Sequence, residues 1–344
     1  MVSYAGLDVS LETVAVCVVD GDGAGLWRGK CVAEPEAIAV LLAHKAPGLA
    51  RVTLETGALS GWLYRELRRR DVPVVCVDAR HAKAVLMQRL NKTDAIDAQG
   101  LAELARVGWF KAVQPKSEPA QLVATLIAAR SRLIKMRADL VNQIRGLLKP
   151  FGLRPGKVHG ATLAARVREL IAARGLLEEV ILRLLQLQLW DDLQRQIVAL
   201  HQRLLTIVHG DGACRRLLAV PGIGPVTALA FRTAVDWPDR FQHARAVGAW
   251  LGLTPRRQQS GQTDRQGRIS KRGDPLLRSY LFEAAMIMLY RQQRPSALRS
   301  WGLALARRLG RKRAVTAVAR KLAVVMLRLL KDTTSFQPRP EAIA

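Results

Sequence analysis

The sequence predicts an α/β domain followed by a mainly helical region, and three observations support this division. Short β-branched runs alternate with helical patterns over the first 110 residues. Residues 111 to 210 are helical in pattern, and residues 211 to 334 are mainly so. A flexible tail is expected over residues 335 to 344. With 344 residues, 49% of them hydrophobic, the chain is long enough for two or three packed domains.

The first 110 residues predict three antiparallel strands followed by α/β crossovers. β-branched runs joined by short polar turns indicate strands at Tyr4–Asp8, Thr13–Val19 and Leu26–Val32. The segments that follow predict, in order, a helix Pro35–His44, a strand Arg51–Glu55, a helix Gly61–Arg70, a strand Val72–Val77, and helices Arg80–Arg89 and Asp94–Val107. This order is typical of a ribonuclease H-like mixed sheet, although other α/β domains share it.

The helical region is interpreted as an arm followed by a C-terminal domain. Two long helices are predicted at Glu118–Leu148 and Leu176–Val208, with a break at Pro150–Gly160. Leucines near heptad spacing on the first helix favour a coiled-coil arm, and a plain helical bundle is the alternative. The C-terminal domain is predicted to be helical apart from a polar loop at Thr254–Asp274, and to end in a basic helix, Arg311–Lys331.

The net charge of +26 lies entirely in the second part of the chain. Residues 1 to 110 hold 13 basic and 13 acidic residues, so the whole excess follows residue 110. Such a surface attracts nucleic acid, because neutralised phosphates release counterions. An anionic membrane surface is the alternative, but no lipidation or interfacial-helix pattern accompanies the charge. No apolar run reaches membrane-spanning length and no export signal is visible, so a cytoplasmic, nucleoid-associated protein without a membrane partner is expected.

Four acidic residues are candidate metal ligands. Asp8 and Glu55 each end a predicted strand, and Asp94 and Asp97 share one face at the start of a predicted helix. For the last two, helix capping and the helix dipole offer a structural alternative, with Asp94 as the N-cap. Clustered carboxylates repel one another unless divalent cations lie between them, and two such ions assist phosphodiester transfer. The expected metal is Mg²⁺. The four cysteines match no zinc spacing and are interpreted as buried apolar residues.

Two further motifs are candidates for phosphate contact and for nucleophilic chemistry. Gly222 and Gly224 lie between predicted helices, which favours a helix-hairpin-helix over a dinucleotide site, with a plain interhelical turn as the alternative. The polar loop places Ser260 among cations that would hold a phosphate and favour an alkoxide, although Thr263 and Ser270 have comparable neighbours. The candidate nucleic-acid contacts are these two glycines with Arg256, Arg257, Arg265, Arg268, Lys271, Arg272, Lys312 and Arg313.

The motifs together resemble a known family. Gly-Leu-Asp8-Val-Ser, Leu-Glu55-Thr-Gly, Lys-Thr-Asp94-Ala-Ile-Asp97-Ala, Val-Pro-Gly-Ile-Gly-Pro and Ser260-Gly occur in the order found in the DEDD transposases of the insertion sequence 110 family. The resemblance implies a RuvC-like (ribonuclease H-fold) domain, a coiled coil and a C-terminal transposase domain. It implies that the four carboxylates bind metal and that Ser260 is the nucleophile. It also implies a bridge RNA that pairs with donor and target DNA, and a tetrameric assembly, a dimer of dimers.

The function predicted from these observations is site-specific DNA recombination through a phosphoserine intermediate, with Mg²⁺ at the acidic cluster. An alternative is a metal-dependent nuclease or Holliday-junction resolvase that forms no covalent link. A third interpretation is a basic, non-enzymatic scaffold that binds RNA or DNA.

Overall fold

The computed structural model describes residues 1–86, 93–158, 161–173, 187–291, 295–334 and 336. The chain forms two compact units, Met1–Lys116 and Ser117–Ala344. Within the described ranges, no helix combines the length and apolar character needed to span a membrane.

The N-terminal unit is built on a five-stranded mixed sheet. Its strands are β1 (Ser3–Val9), β2 (Thr13–Asp20), β3 (Gly25–Val32), β4 (Leu49–Glu55) and β5 (Val74–Val77), in the order β3-β2-β1-β4-β5. β1, β2 and β3 are antiparallel neighbours, whereas β4 and β5 run parallel to β1. The predicted meander and crossovers are confirmed, and the arrangement is consistent with a RuvC-like domain. Because both faces of the central strands are covered, β2 is a nearly continuous apolar run.

In the described part of this unit, four helices accompany the sheet: α1 (Pro35–Lys45), α2 (Ser60–Arg69), α3 (Ala79–Leu86) and α4 (Asp94–Val107). α1 and α2 bury Ile38, Leu42, Leu63 and Leu67 against one face of the sheet. α4 packs on the opposite face through Ala98 and Ala102. The predicted start and end of α4 are confirmed. The last part of the helix predicted at Arg80–Arg89 lies outside the described residues.

Gly6 in the middle of β1 allows α4 to lie directly on the sheet. A Cβ atom at this position would collide with the carbonyl oxygen of Ala98 and the amide nitrogen of Ala102, both of which are helix backbone atoms. Gly6→Ala is therefore expected to lower the free energy of unfolding by about 1–3 kcal/mol, because backbone cannot move aside as a side chain can. Urea unfolding measures this change.

The control for this variant is Gly21→Ala. Gly21 lies in the β2–β3 turn, where an added Cβ would have no neighbour within 4 Å. We expect its effect to stay within about 0.5 kcal/mol. Equal destabilisation by the two variants would contradict the close packing of α4 on Gly6.

The C-terminal unit is mainly helical. Its elements are α5 (Glu118–Leu148), a 3₁₀ turn (Lys149–Phe151), α6 (Ala161–Ala172), α7 (Leu187–Gly210), α8 (Gly212–Leu218), α9 (Pro225–Val235), a 3₁₀ turn (Pro238–Arg240), α10 (Ala246–Trp250), β6 (Pro255–Ser260), β7 (Thr263–Ile269), α11 (Pro275–Tyr290), α12 (Ala297–Leu309) and α13 (Arg311–Lys331). The predicted limits of α5 are confirmed. α6 was not predicted from the sequence, and the first part of the helix predicted at Leu176–Val208 lies outside the described residues.

The described residues of this unit form two apolar clusters. The C-terminal half of α5 packs with α6 and the start of α7 around Leu140, Ile144, Val167 and Trp190. The larger cluster contains most of α13, together with α9, α11 and the end of α7. α13 agrees with the predicted basic helix Arg311–Lys331, and its apolar residues are central to the core. Its exposed basic residues are Arg311, Lys312, Arg313 and Arg328.

The prediction of a polar loop at Thr254–Asp274 is wrong, because β6 and β7 form an antiparallel hairpin there. All residues of both strands are exposed except Ile269, so neither face carries the apolar alternation from which a strand is predicted. The hairpin is held by its backbone ladder and by an ion pair between its strands.

Candidate active site

Asp8 and Glu55 lie side by side at the edge of the N-terminal sheet. β1 and β4 are parallel neighbours whose last paired residues are Leu7 and Leu54. Asp8 and Glu55 each follow by one residue and therefore occupy the next cross-strand position. Neighbouring strands are about 4.8 Å apart, and residues opposite each other point to the same face. The fold thus brings these two predicted ligands together.

Their side chains lie on the face of the sheet that α4 covers. Thr53, two residues before Glu55, donates a hydrogen bond from its hydroxyl to the carbonyl oxygen of Leu101 in α4, at 2.6 Å. Gly6, two residues before Asp8, is the residue that contacts the α4 backbone. Because side chains alternate along a strand, both carboxylates project toward this helix.

The first turn of α4 brings Asp94 and Asp97 to the same end of this face. Ala98, which packs on Gly6, directly follows Asp97. The N-cap is Thr93, whose side chain accepts a hydrogen bond from the amide of Ile96 at 3.3 Å. The alternative in which Asp94 caps the helix is therefore wrong. Its carboxylate oxygen Oδ2 instead lies 2.8 Å from the ammonium Nζ of Lys30.

Lys30 was not singled out in the sequence, because it is 64 residues from Asp94 and lies in an exposed edge strand. In the sheet it stands opposite Ala15, and Ala15 stands opposite Asp8. Lys30, Asp8 and Glu55 therefore belong to one row across the sheet. This row could be recognised only after the strand order and register were known.

The four carboxylates provide the kind of ligand atom that a hard divalent cation prefers. All are oxygen ligands, which Mg²⁺ prefers, and the ammonium at Asp94 shows that this position accepts a cation. In the conformation of the described part of the chain, no group of three or more His, Cys, Asp or Glu side chains lies in a metal-binding arrangement.

Ser260 lies at the tip of the β6–β7 hairpin. It pairs with Thr263 across a two-residue turn, and Gly261 at the first turn position has φ of 53°, as a type II′ turn requires. Ser260 is exposed, whereas Ser270 is half-buried beyond the end of β7, where its amide donates to the carbonyl oxygen of Thr254 at 2.9 Å. The structure therefore separates the two serines, which the sequence could not do.

The hairpin also separates its arginines. Gln258 and Arg265 form a cross-strand pair two residues from the Ser260–Thr263 pair, so they share the face of the serine. Arg257 lies on the other face, where it donates two hydrogen bonds to Asp264, at 2.8 and 2.7 Å. The Arg257 guanidinium lowers the pKa of the Asp264 carboxyl.

The remaining predicted basic contacts lie near the base of the hairpin or on α13. Arg256 donates to the carbonyl oxygen of Ser270 at 3.4 Å. Arg268, Lys271, Arg272, Lys312 and Arg313 are all exposed. Their side chains are accessible to a polyanion.

Comparisons with known proteins relate this arrangement to a family. A profile described as the transposase IS116/IS110/IS902 family matches residues 214–300, and a DEDD transposase profile matches residues 5–152. The chain is 30% identical to the transposase for insertion sequence element IS1111A of Coxiella burnetii, over 98% of the chain and 92% of that protein. The chain belongs to the IS116/IS110/IS902 transposase family.

Two other relatives extend this comparison. A probable family 20 transposase of Pseudomonas aeruginosa is 32% identical over 83% of the chain and 86% of its own length. A pilin gene-inverting protein of Moraxella bovis is 29% identical over 36% of the chain and 38% of its own length. Membership of this transposase family makes the chain an enzyme that cleaves and transfers DNA. The two profiles contain, respectively, Ser260 and the four carboxylates.

The two glycines of the transposase's Gly-Ile-Gly turn have different environments. Gly222 is buried with φ of 85°, and a Cβ there would collide with the carbonyl oxygen of Ala284 in α11. Gly224 is the N-cap of α9, and no atom lies within 4 Å of the position of its Cβ. Close packing against α11 therefore explains why residue 222 is a glycine. Of the two glycines, Gly224 is the one that leaves space for a phosphate. The helix-hairpin-helix function stays a prediction.

The cysteines of the transposase are poor alternatives to Ser260 as a nucleophile. All four are free, three are buried, and Cys31 is half-buried. Burial raises the pKa of Cys76 to about 11 and that of Cys214 to about 12. Since the thiolate is the reactive form, these buried thiols are unreactive at neutral pH.

Proposed function

We propose that this transposase is a site-specific recombinase that cuts and rejoins DNA through a covalent link to Ser260. The observation that carries the proposal is the position of Ser260, an accessible hydroxyl at a hairpin tip with Arg265 on the same face. The pilin gene-inverting relative supports recombination as the reaction, because inversion of a gene requires cutting and rejoining at two sites.

The chemistry is an exchange of phosphodiester bonds. The Oγ atom of Ser260 attacks the scissile phosphorus and loses its proton, while the bond from phosphorus to one strand oxygen breaks and that oxygen takes up a proton. The strand is then held as a phosphoserine ester and a free hydroxyl end is released. Rejoining reverses these steps with a hydroxyl of the new partner strand. The number of phosphate ester bonds is unchanged, so no external energy source is needed.

Residues of the chain would hold the phosphate and any metal during this exchange. Arg265 would bind a non-bridging phosphate oxygen and stabilise the charge of the transition state. Asp8, Glu55, Asp94 and Asp97 would hold Mg²⁺, which when bound supplies electrostatic stabilisation of the attacking and leaving oxygens.

We further propose that the partners are donor DNA, target DNA and a bridge RNA, assembled on a tetramer in the cytoplasm. The net charge of +26 and the exposed basic residues of the C-terminal unit support binding to several polyanions. RNA recovered with the purified protein should contain one structured species, and its binding should weaken steeply between about 50 and 200 mM salt. Recovery of unrelated RNA fragments alone would contradict a dedicated guide.

The test of the covalent mechanism is a denaturing gel of protein incubated with labelled element-end DNA, the co-purified RNA and Mg²⁺. A labelled species that migrates with the protein and disappears after protease treatment is the expected result. Free cleaved ends without such a species would favour the nuclease or resolvase function. DNA binding without any cleavage would favour the scaffold.

The hairpin faces predict different roles for two neighbouring arginines. Arg265→Gln is expected to slow adduct formation by about 10²-fold, because it removes a charged donor on the face of Ser260. Arg257→Gln removes the same charge from the opposite face and breaks an exposed ion pair with Asp264. The rate of adduct formation is therefore expected to fall by less than about threefold. Single-turnover rates of adduct formation measure both. A larger loss with Arg257→Gln would contradict this assignment.

A further inference from the structure

We infer that Lys30 competes with the divalent cation for the carboxylate of Asp94. The Lys30 ammonium binds Asp94 in the absence of nucleic acid and moves away from it when a phosphate and the metal bind together. The inference rests on the proposed metal-binding function of the carboxylates. It assigns a positioning role to a residue outside the four-carboxylate set.

Lys30 occupies a position in the sheet that relates it to the carboxylates. Its strand register places it in the row that contains Asp8 and Glu55, two strand spacings from Asp8. Ala15, between them in this row, packs against Ala98 and Ala102 of α4. Since residues of one row point to the same face, the Lys30 side chain leaves the sheet on the side of the carboxylates.

Lys30 and Asp94 are in direct contact. The Lys30 ammonium lies 2.8 Å from Oδ2 of Asp94, the spacing of a charge-assisted hydrogen bond. A metal bound through the same oxygen would require this ammonium to move, because two cations cannot share so close a position without strong repulsion.

The ion pair between Lys30 and Asp94 is suited to exchange. The two side chains are 56% and 64% exposed, and ion pairs so accessible to water contribute little to the stability of a fold. Lys30 is also a flexible point charge that can bind a phosphate. A nucleic acid phosphate near the carboxylates would therefore draw Lys30 away from Asp94 and make that oxygen available to the metal. This couples metal loading to substrate binding.

A structural alternative predicts a different result. β3 is an edge strand, and lysines on such strands prevent association with other sheets. In that case Lys30 would affect aggregation and would not change metal affinity. Arg28 is a matched control, because it lies two residues earlier on the same face, opposite Cys17, and carries the same charge.

The test measures Mn²⁺ affinity of the full-length protein by electron paramagnetic resonance of the free ion, without and with element-end DNA. We expect Lys30→Met to bind Mn²⁺ about 3- to 10-fold more tightly than the parent without DNA, as removal of a competing charge requires. The Mn²⁺ affinity of Arg28→Met should stay within about twofold of that of the parent, since exposed charges farther from the site are screened. DNA should tighten Mn²⁺ binding by the parent more than by Lys30→Met.

Two results would overturn the inference, and they can be distinguished. If Asp94→Asn weakens Mn²⁺ binding but Lys30→Met binds no more tightly than the parent, the competitor role is wrong while the metal site stands. If Asp94→Asn leaves the affinity unchanged, the proposed metal site fails at Asp94 and the role of Lys30 fails with it. Aggregation of Lys30→Met with unchanged affinity would support the edge-strand alternative.

Discussion

Ser260→Ala is expected to bind RNA and DNA as the parent does, but to form no protein–DNA adduct and no recombinants. The loss should be on the order of 10³-fold or more, the range found when a nucleophilic hydroxyl is removed. Folding should be unaffected, because Ser260 is exposed at the tip of a hairpin and contributes to no apolar cluster. Adduct yield on denaturing gels and recombinant DNA by amplification measure the effect.

Two matched variants test whether the effect is specific. Ser270→Ala removes a hydroxyl beyond the end of β7, and Thr263→Ala removes the one that pairs with Ser260 across the turn. Both should retain the adduct, with Thr263→Ala the more affected because it shares the face of Ser260. An adduct in Ser260→Ala, or its loss in Ser270→Ala alone, would show that the nucleophile is misassigned.

The hairpin does not contain every group that the reaction needs. Its one acidic residue, Asp264, lies on the face opposite Ser260 and is paired with Arg257. A base for the serine proton must therefore come from elsewhere in the protein, from a bound metal or from the substrate. We therefore expect Ser260 to react only when nucleic acid is bound, which would prevent nicking by the free protein.

The elements of the N-terminal unit could be predicted closely because strand-like runs alternate with helical patterns in its sequence. The strands Thr13–Asp20 and Gly25–Val32 agree with the prediction to within one residue at each end, since the polar Asp20-Gly21-Asp22-Gly23 turn separates them and the first is a β-branched, apolar run. The grouping of Asp8 with Glu55 was an expectation from the sequence, and the parallel pairing of β1 with β4, which the structure shows, places them side by side.

Other features required information that no local pattern contains. Both faces of the hairpin are polar, so its strands resemble a loop in sequence. The N-cap of α4 could be Thr93 or Asp94 by residue type, and only the backbone conformation decides between them. Lys30 joins the site through strand register across the sheet. α6 has a helical apolar pattern in Leu163, Val167 and Ile171, so that helix could have been found.

Asp8→Asn and Asp97→Asn are each expected to reduce recombination by about 10³-fold or more, while folding and nucleic-acid binding stay near those of the parent. The physical reason is that a neutral amide keeps the size of the side chain but provides a weaker ligand for Mg²⁺. Both residues are only partly buried, so the substitution leaves no cavity. Recombination assays with co-purified RNA measure the loss.

Thermal unfolding separates this role from a structural one. Without metal, Asp8→Asn should be as stable as the parent or more stable, because it removes repulsion from the neighbouring Glu55. Added Mg²⁺ should raise the melting temperature of the parent by binding the folded state, and should raise that of Asp8→Asn less. A parent-like increase in Asp8→Asn, or recombination at the parent rate in either variant, would contradict the metal role.

Asp94→Asn also tests the metal role, because Thr93 is the N-cap of α4 and the substitution leaves this cap in place. Its matched control is Glu103→Gln on the same helix, where the carboxylate forms an ion pair with Arg106 at 2.9 Å, toward the end of α4 far from the cluster. That variant removes one negative charge from α4 without touching the proposed ligands, so recombination and the Mg²⁺-dependent stabilisation should both be retained. If Glu103→Gln abolished recombination as Asp94→Asn does, the effect would be due to the charge of α4 in general and not to ligation by its first turn.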